Sequence, residues 1–195
     1  MGLERELKFA LDRAGYERMA ECLGTPFEEV EQVNVYLDTA SSQIEAMRAA
    51  LRLRREGGQL LLTYKRGRAQ TGAYFEIAEF EVPITPDQWL GLETGSSLPD
   101  LEPLQELHRD VPSLDPLVCL GRVENLRRRY PLPTGDVAEL DRTVFPNGRV
   151  DYELEVETAD PEAVERWLRE HAGFPLVAQQ TTKYRRFLDA IRPAG

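Results

Sequence analysis

Along "LERELKF", residues 3–9, the odd positions Leu3, Arg5, Leu7 and Phe9 are mostly apolar, while the even positions carry Glu4, Glu6 and Lys8. Read as a strand, the stretch puts charges of both signs in a row on one face. It also fits a helix, with Glu4 and Lys8 as an i,i+4 pair and Leu7, Ala10, Leu11 and Ala14 along one side. On this stretch alone the two readings are balanced, and the rest of the chain has to decide. "DRAGYERMAECLG" predicts a helix closed by Gly24. "VNVYLDT" alternates as a strand, and "ALRLRREGGQLLLTYKRG" predicts a hairpin turning on Gly57-Gly58. "AYFEIAEFEVPI" is a further strand. Helices follow over "TPDQWLGLETG", where Thr85 caps and Pro86 opens, and over "LPDLEPLQELH". "LVCLGRVENLRRRYPL" and "DVAELDRTVF" read as strands, with a hairpin turn at Asn147-Gly148 and "RVDYELEVET" as its second arm. "ADPEAVERWLREHAG" is a helix capped by Asp160. No repeat or linker interrupts the order, so a single domain over 1–195 is expected, α+β and mainly antiparallel.

The faces of these strands are more informative than the strands themselves. Arg52 and Arg54 share a side, as do Thr63 and Lys65, Glu79 and Glu81, and Asn125, Arg127 and Arg129. Glu139 and Asp141 share a fifth, and Asp151, Glu153, Glu155 and Glu157 line a sixth against Val150, Tyr152, Leu154 and Val156. For any one strand, a solvated charged face explains this. A solvated face normally mixes Thr, Ser, Gln and Lys, whereas here like-charged pairs recur at i,i+2 on strand after strand. A closed barrel with a charged interior and an apolar outer face under helices explains the whole set. Its arginines and lysines suit an oligo-anion and its carboxylates a hard divalent cation.

Composition narrows the field. The net charge is −10 and the pI about 4.8, which disfavours generic nucleic-acid binding. A local basic cluster still sets the field inside a cleft. No apolar run reaches membrane-spanning length, and no signal peptide is expected. Cys22 and Cys119 are too few for a disulfide framework or a thiolate zinc site, so a reduced, cytoplasmic protein is expected, with Cys22 in the core. Of 24 basic residues only Lys8, Lys65 and Lys183 are lysine. Three lysines that resist an arginine bias point to places needing a compact ammonium.

The opening Glu4-Arg5-Glu6-Leu7-Lys8 resembles the signature of the CYTH domain, the triphosphate tunnel metalloenzymes. In the same order "YLDT", "ALRLRRE", "LTYKR", "EFEVPI", "NLRRRY", "AELD", "DYELEVE" and "TTKYRRF" resemble further family segments. The likeness spans nearly the whole chain and is strongest toward the bacterial branch of Bacillus CYTH proteins of similar length. It implies a closed eight-stranded antiparallel barrel forming a tunnel, and hydrolysis of triphosphates with Mg²⁺ or Mn²⁺. It implies Glu4, Glu6, Lys8, Glu79 and Glu81 as catalytic positions. It places Lys8, Arg52, Arg54, Lys65, Arg127, Lys183 and Arg186 on the triphosphate, and Glu4, Glu6, Asp141, Glu153 and Glu155 on metal. Asn125 stands where many relatives carry threonine, which leaves one phosphate hydrogen bond open.

The expected substrate is inorganic tripolyphosphate, cleaved to pyrophosphate and phosphate. The alternatives are thiamine triphosphate hydrolysis, a class IV-type adenylate cyclase on the same scaffold, and a non-catalytic polyphosphate or nucleotide binder. The expected partner is a small-molecule triphosphate, without membrane or generic nucleic acid; monomer and homodimer stay open. With no metal bound, the lumen carboxylates are expected to repel one another.

Overall fold

The structure, a computed structural model, describes residues 2–192 apart from the Arg68 side chain. The chain runs β1 (Gly2–Leu11), α1 (Arg13–Leu23), β2 (Glu28–Thr39), α2 (Gln43–Ala46), β3 (Ala49–Glu56), β4 (Gln59–Thr71) and β5 (Tyr74–Pro83). It continues through α3 (Pro86–Thr94), α4 (Glu102–Asp110), β6 (Leu117–Pro131), β7 (Val137–Val144), β8 (Val150–Glu157), α5 (Pro161–His171), β9 (Val177–Ala178) and α6 (Lys183–Ile191). Around the barrel the order is β5-β4-β3-β2-β6-β7-β8-β1, and β1 closes the circle on β5. Every neighbouring pair is antiparallel. β9 adds a short rung beside Phe9 and Ala10 of β1.

The opening stretch is therefore a strand. β1 pairs with β5 through Gly2 to Leu7 and with β8 through Glu6 to Leu11. The period of two then sends Glu4, Glu6 and Lys8 inward. Leu7 and Phe9 point outward and are 1% and 0% exposed, beneath Met19 of α1 and Val164 and Leu168 of α5. Burying a side chain such as Phe9 contributes about 1.5–3 kcal/mol. On the opposite wall, Leu51, Leu53, Leu62 and Phe80 are covered by Leu92 of α3 and by Leu104 and Leu107 of α4. The barrel is thus inverted relative to a soluble sandwich: apolar outside under helices, charged inside.

Local chemistry sets the boundaries. Asp12 caps α1 by accepting from the Gly15 N–H, Thr85 and Gln88 form a capping box on α3, and Asp160 accepts from Ala163 on α5. Gly57 and Gly58 both have positive φ, 53° and 84°, as a two-residue hairpin turn requires. The Asn147-Gly148 turn differs from its two-residue expectation. Phe145 and Arg149 pair across it, and of the two residues only Gly148 is left-handed, giving a three-residue loop. β4 runs past Gly67 to Thr71 because an irregularity between Gly67 and Ala69 lets the ladder continue. Alternation does not assign 181–191. Within them Lys183–Ile191 form α6, capped by Thr182, with Tyr184, Phe187, Leu188 and Ile191 at helical spacing. Cys22, expected in the core, is exposed, with its Sγ 3.1 Å from the His171 carbonyl oxygen. Among the described residues, no helix is long and apolar enough to cross a membrane.

Candidate active site

A cavity of about 1390 Å³ runs through the barrel. Glu4, Glu6, Lys8, Arg52, Arg54, Lys65, Glu79, Glu81, Arg127, Glu155 and Lys183 all line it. Asp141, Glu153 and Arg186 do not reach its surface; they lie buried directly behind it, at 0%, 1% and 7% exposure. All three lysines of the chain enter this site, and the lining residues named come from six strands and α6.

The charges fall into four groups. In the first, Lys65 Nζ lies 2.7 Å from Glu4 and 2.8 Å from Glu79. Burial pushes the Glu4 carboxyl up to about 8 despite Lys65, and its hydrogen bond to Glu79 adds to the rise. Burial also opposes ionisation of Glu79, but Lys65, the bond from Glu4 and Arg52 together hold it well below the usual carboxylate range. At neutral pH Glu4 is protonated and Glu79 is not. In the second group, Lys8 Nζ bridges Glu6 at 3.0 Å and Glu155 at 2.9 Å. Burial raises Glu6, while Glu155 is driven well below its ordinary value: burial works against it, and Lys183, Lys8 and Arg127 outweigh burial.

The third group is the deepest. Arg127 makes a bidentate contact to Asp141, Nε–Oδ1 2.8 Å and Nη2–Oδ2 2.6 Å, and its Nη2 also donates to Glu155 at 2.7 Å. Lys183 Nζ lies 2.6 Å from Asp141 and 2.7 Å from Glu153, and Arg186 pairs with Glu153 from behind. Asp141, Glu153 and Glu155 each bring an oxygen to within 4.8 Å of the others. Three buried carboxylates with hard oxygen donors fit a divalent cation of the Mg²⁺ or Mn²⁺ type. Glu153 Oε1 and Glu6 Oε1 are both buried, and each is met by an ammonium, Lys183 at 2.7 Å and Lys8 at 3.0 Å, which a cation would have to displace or share.

The fourth group is the least compensated. Arg52 Nη2 stands 3.4 Å from Thr63 Oγ1, 3.7 Å from Glu81 and 4.0 Å from Glu79, and its buried Nε has no hydrogen-bond partner. Arg54 donates to Asn34 at 2.9 Å. Its guanidinium is depressed to about 10, by burial first and then by the charges of Arg52 and Arg127. Guanidiniums that repel one another inside a cavity are a site prepared for an anion.

The lumen is therefore not a set of repelling carboxylates, as expected from the sequence. Cations from facing strands interleave with them, because the register sets Lys8 opposite Glu155 and Lys65 opposite Glu79. Asn125 is also accounted for. Its Nδ2 donates to Gln32 at 2.8 Å, its Oδ1 accepts from Thr143 at 2.7 Å, and Gln32 donates on to Glu56 at 3.0 Å. This relay is buried and engages both the Nδ2 and the Oδ1 of Asn125. Arg129 and Glu139 line the cavity without having been singled out. Arg129 holds Glu28, Glu56 and Glu139 at 2.6, 2.7 and 2.9 Å. The signal was present, since Arg129 shares the face of Arg127, and Glu139 that of Asp141.

The comparisons with known proteins fit this geometry. A CYTH domain family model matches residues 2–188. YjbK of Bacillus subtilis, a protein proposed to be a triphosphatase, is 28% identical over 181 residues, covering 91% of this chain and 86% of the relative. HpAC1 of Hippeastrum, proposed to be an adenylyl cyclase and described as having a dominant triphosphatase activity, superposes with a TM-score of 0.84. It is 26% identical and the match covers 95% of both chains. A Bacillus halodurans protein proposed to be an adenylate cyclase shares the fold, with a TM-score of 0.78, 20% identity and coverage of 96% and 99%. With a model match across almost its full length and a barrel that carries its charges inside, the chain belongs to the CYTH domain family.

Proposed function

We propose that this protein is a divalent-metal-dependent hydrolase of linear triphosphates, acting on inorganic tripolyphosphate and water to give pyrophosphate and phosphate. The observation that carries this reading is the poorly neutralised pair Arg52 and Arg54 beside a buried carboxylate cluster in one barrel. Tyr36, Phe75 and Tyr184 line the same cavity but are only 2%, 4% and 7% exposed, so none offers a ring face to a nucleobase. This favours tripolyphosphate over a nucleotide.

In this reading Arg52 and Arg54 hold non-bridging oxygens through forked donors, and Lys8, Lys65 and Lys183 hold them as point charges. Glu6, Asp141, Glu153 and Glu155 hold the cation, joined by Glu4 once its proton has left. Arg186 acts at one remove, fixing Glu153. Glu79 and Glu81 lie where an attacking water can be oriented. A bound Mg²⁺ or Mn²⁺ supplies charge neutralisation and a more acidic water. The chain itself contributes positioning and electrostatic stabilisation. Phosphorus NMR after incubation with Mg²⁺ or Mn²⁺ and tripolyphosphate, ATP or thiamine triphosphate tests the reading. Phosphate plus pyrophosphate from tripolyphosphate supports it. Cyclic AMP from ATP replaces it with a cyclase, and binding without turnover with a binder.

Two expectations follow from the first charge group. Lys65→Arg keeps the charge, but a planar fork cannot meet both Glu4 and Glu79 and still point at a phosphate. We expect kcat/KM for tripolyphosphate to fall about tenfold or more; steady-state kinetics equal to wild type would refute the need for an ammonium there. The second concerns pH. Glu4 keeps its proton in the folded protein up to about pH 8, and it must lose that proton to ligate a cation. Metal binding at pH 7 is therefore expected to release a proton, and affinity to rise with pH until it levels above that value. Calorimetry in buffers of different ionisation enthalpy measures the release, which Glu4→Gln should reduce, and an unchanged release would mean that Glu4 is not its source. The same shift makes Glu4 a group whose stabilising contribution is present below the unfolded carboxylate value and is lost as pH rises through the folded one.

A further inference from the structure

Lys183 and Arg186 stand on α6, which belongs to no strand ladder, so the barrel's backbone hydrogen bonds do not fix these two cations. The seat of α6 has two parts. Inside the barrel end, Tyr184, Phe187 and Leu188 pack against Tyr36, Val123 and Phe145. The Tyr36 ring centre is 5.0 Å from that of Tyr184 and 4.8 Å from that of Phe187. Such packing is non-directional and sets no fine register. Besides the ion pairs of Lys183 and Arg186 themselves and a 3.4 Å contact from Arg149 to the Arg186 carbonyl, the directional contacts come from Asp38 at the end of β2 and from Glu45 of α2. The Tyr184 hydroxyl donates to Asp38 Oδ2 at 3.1 Å, and Arg185 and Arg192 both pair with Glu45.

Asp38 is 1% exposed and is itself held rigidly. Oδ1 accepts from the N–H of Thr39 at 2.7 Å and of Ile44 at 2.9 Å, and Oδ2 from the N–H of Glu45 at 3.0 Å. α2 is bracketed by two non-glycine residues in the left-handed region, Ser42 at φ 58° and Arg48 at φ 53°. Backbone strain of this kind persists where the surroundings over-determine it, and it concentrates at functional elements. Burial, the Asp38 charge and their hydrogen bond keep the Tyr184 phenol well above its ordinary value, so it remains a donor.

We infer that Asp38 is a positioning residue: through the Tyr184 hydroxyl it fixes the register of α6, and so holds Lys183 between Asp141 and Glu153. The consequence for turnover rests on the hydrolase reading; the mechanical part does not. Tyr184→Phe tests both, because it keeps the ring against Tyr36 and removes only the donor. Hydrogen exchange of the amides of residues 186–191 should become about tenfold faster, with β1 and β8 unchanged. In kcat/KM for tripolyphosphate, Tyr184→Phe should cost about tenfold and Lys183→Ala about 10²-fold. The double variant should also cost about 10²-fold, because the first change acts through the second residue. Asp38→Asn, which offers an amide in place of Oδ2, should speed exchange in the same residues. Unchanged α6 exchange in Tyr184→Phe overturns the inference whatever the enzyme acts on. So does a multiplicative loss near 10³-fold in the double variant. A wild-type protein that does not turn over tripolyphosphate removes the hydrolase reading, and the exchange result still decides the mechanical one.

Discussion

Arg52→Ala should lower kcat/KM for tripolyphosphate on the order of 10²-fold, the scale for losing one preorganised donor to developing charge. Its melting temperature should stay within about 2 °C of wild type. The two expectations belong together. Arg52 spends little on the fold: its contacts to Thr63, Glu81 and Glu79 are 3.4 to 4.0 Å long and its Nε is unpartnered. Removing it also relieves Arg54, whose guanidinium it helps to depress. Arg127→Ala would be a poorer test, because Arg127 is tied to Asp141, Glu139 and Glu155 and its loss would strand all three. Wild-type kinetics for Arg52→Ala, measured by phosphate release, would mean that the triphosphate does not lie along this wall.

Glu155→Gln should melt roughly 10 °C below wild type in EDTA. The chain's sequence suggests the opposite, since a lumen carboxylate among others ought to be a burden. The register decides the sign. Glu155 is 7% exposed, with Lys8 at 2.9 Å and Arg127 at 2.7 Å, so the substitution leaves two buried cations short of a counter-charge. Breaking a buried pair from one side costs about 3–5 kcal/mol, and each kcal/mol shifts the midpoint of a chain this size by about 2–4 °C. Because the folded carboxylate is depressed, its contribution is present above the unfolded value near 4.3 and is lost as pH falls through the folded one. The gap between variant and wild type should therefore narrow below about pH 4. Calorimetric scans at pH 7 and pH 3.5 check both statements, and equal midpoints at pH 7 would mean that Glu155 carries no structural charge.

The inward faces were legible because a strand's period of two is exact enough to sort Glu4 from Leu7 and Arg52 from Leu53 without any knowledge of neighbours. The pairing between strands was not. Whether Glu155 faces Lys8 or another carboxylate depends on register, and register is a long-range property of β1, β7 and β8 together. α6 was hidden for a different reason. In "TTKYRRFLDAI" Lys183 and Arg186 turn toward the barrel with Tyr184, Phe187 and Leu188 while Arg185 and Asp189 face solvent, so charge falls on both faces and the apolar positions alone carry the helical signal. Arg186 illustrates the limit of carrying a role by resemblance. Its position matches a basic tunnel site, yet the structure places it behind Glu153 and off the cavity surface.

β1 touches residues 74–79 along one edge and residues 152–157 along the other. β1 precedes both of these partners along the chain, so its edges are among the last to be satisfied. Until β8 exists, β1 presents one unpaired edge and a lumen face bearing Glu4, Glu6 and Lys8, which discourages edge-to-edge association with other nascent chains. Closure joins contacts separated by most of the chain, the kind of non-local pairing that slows folding. The charges that serve the tunnel also keep its seam soluble while it waits.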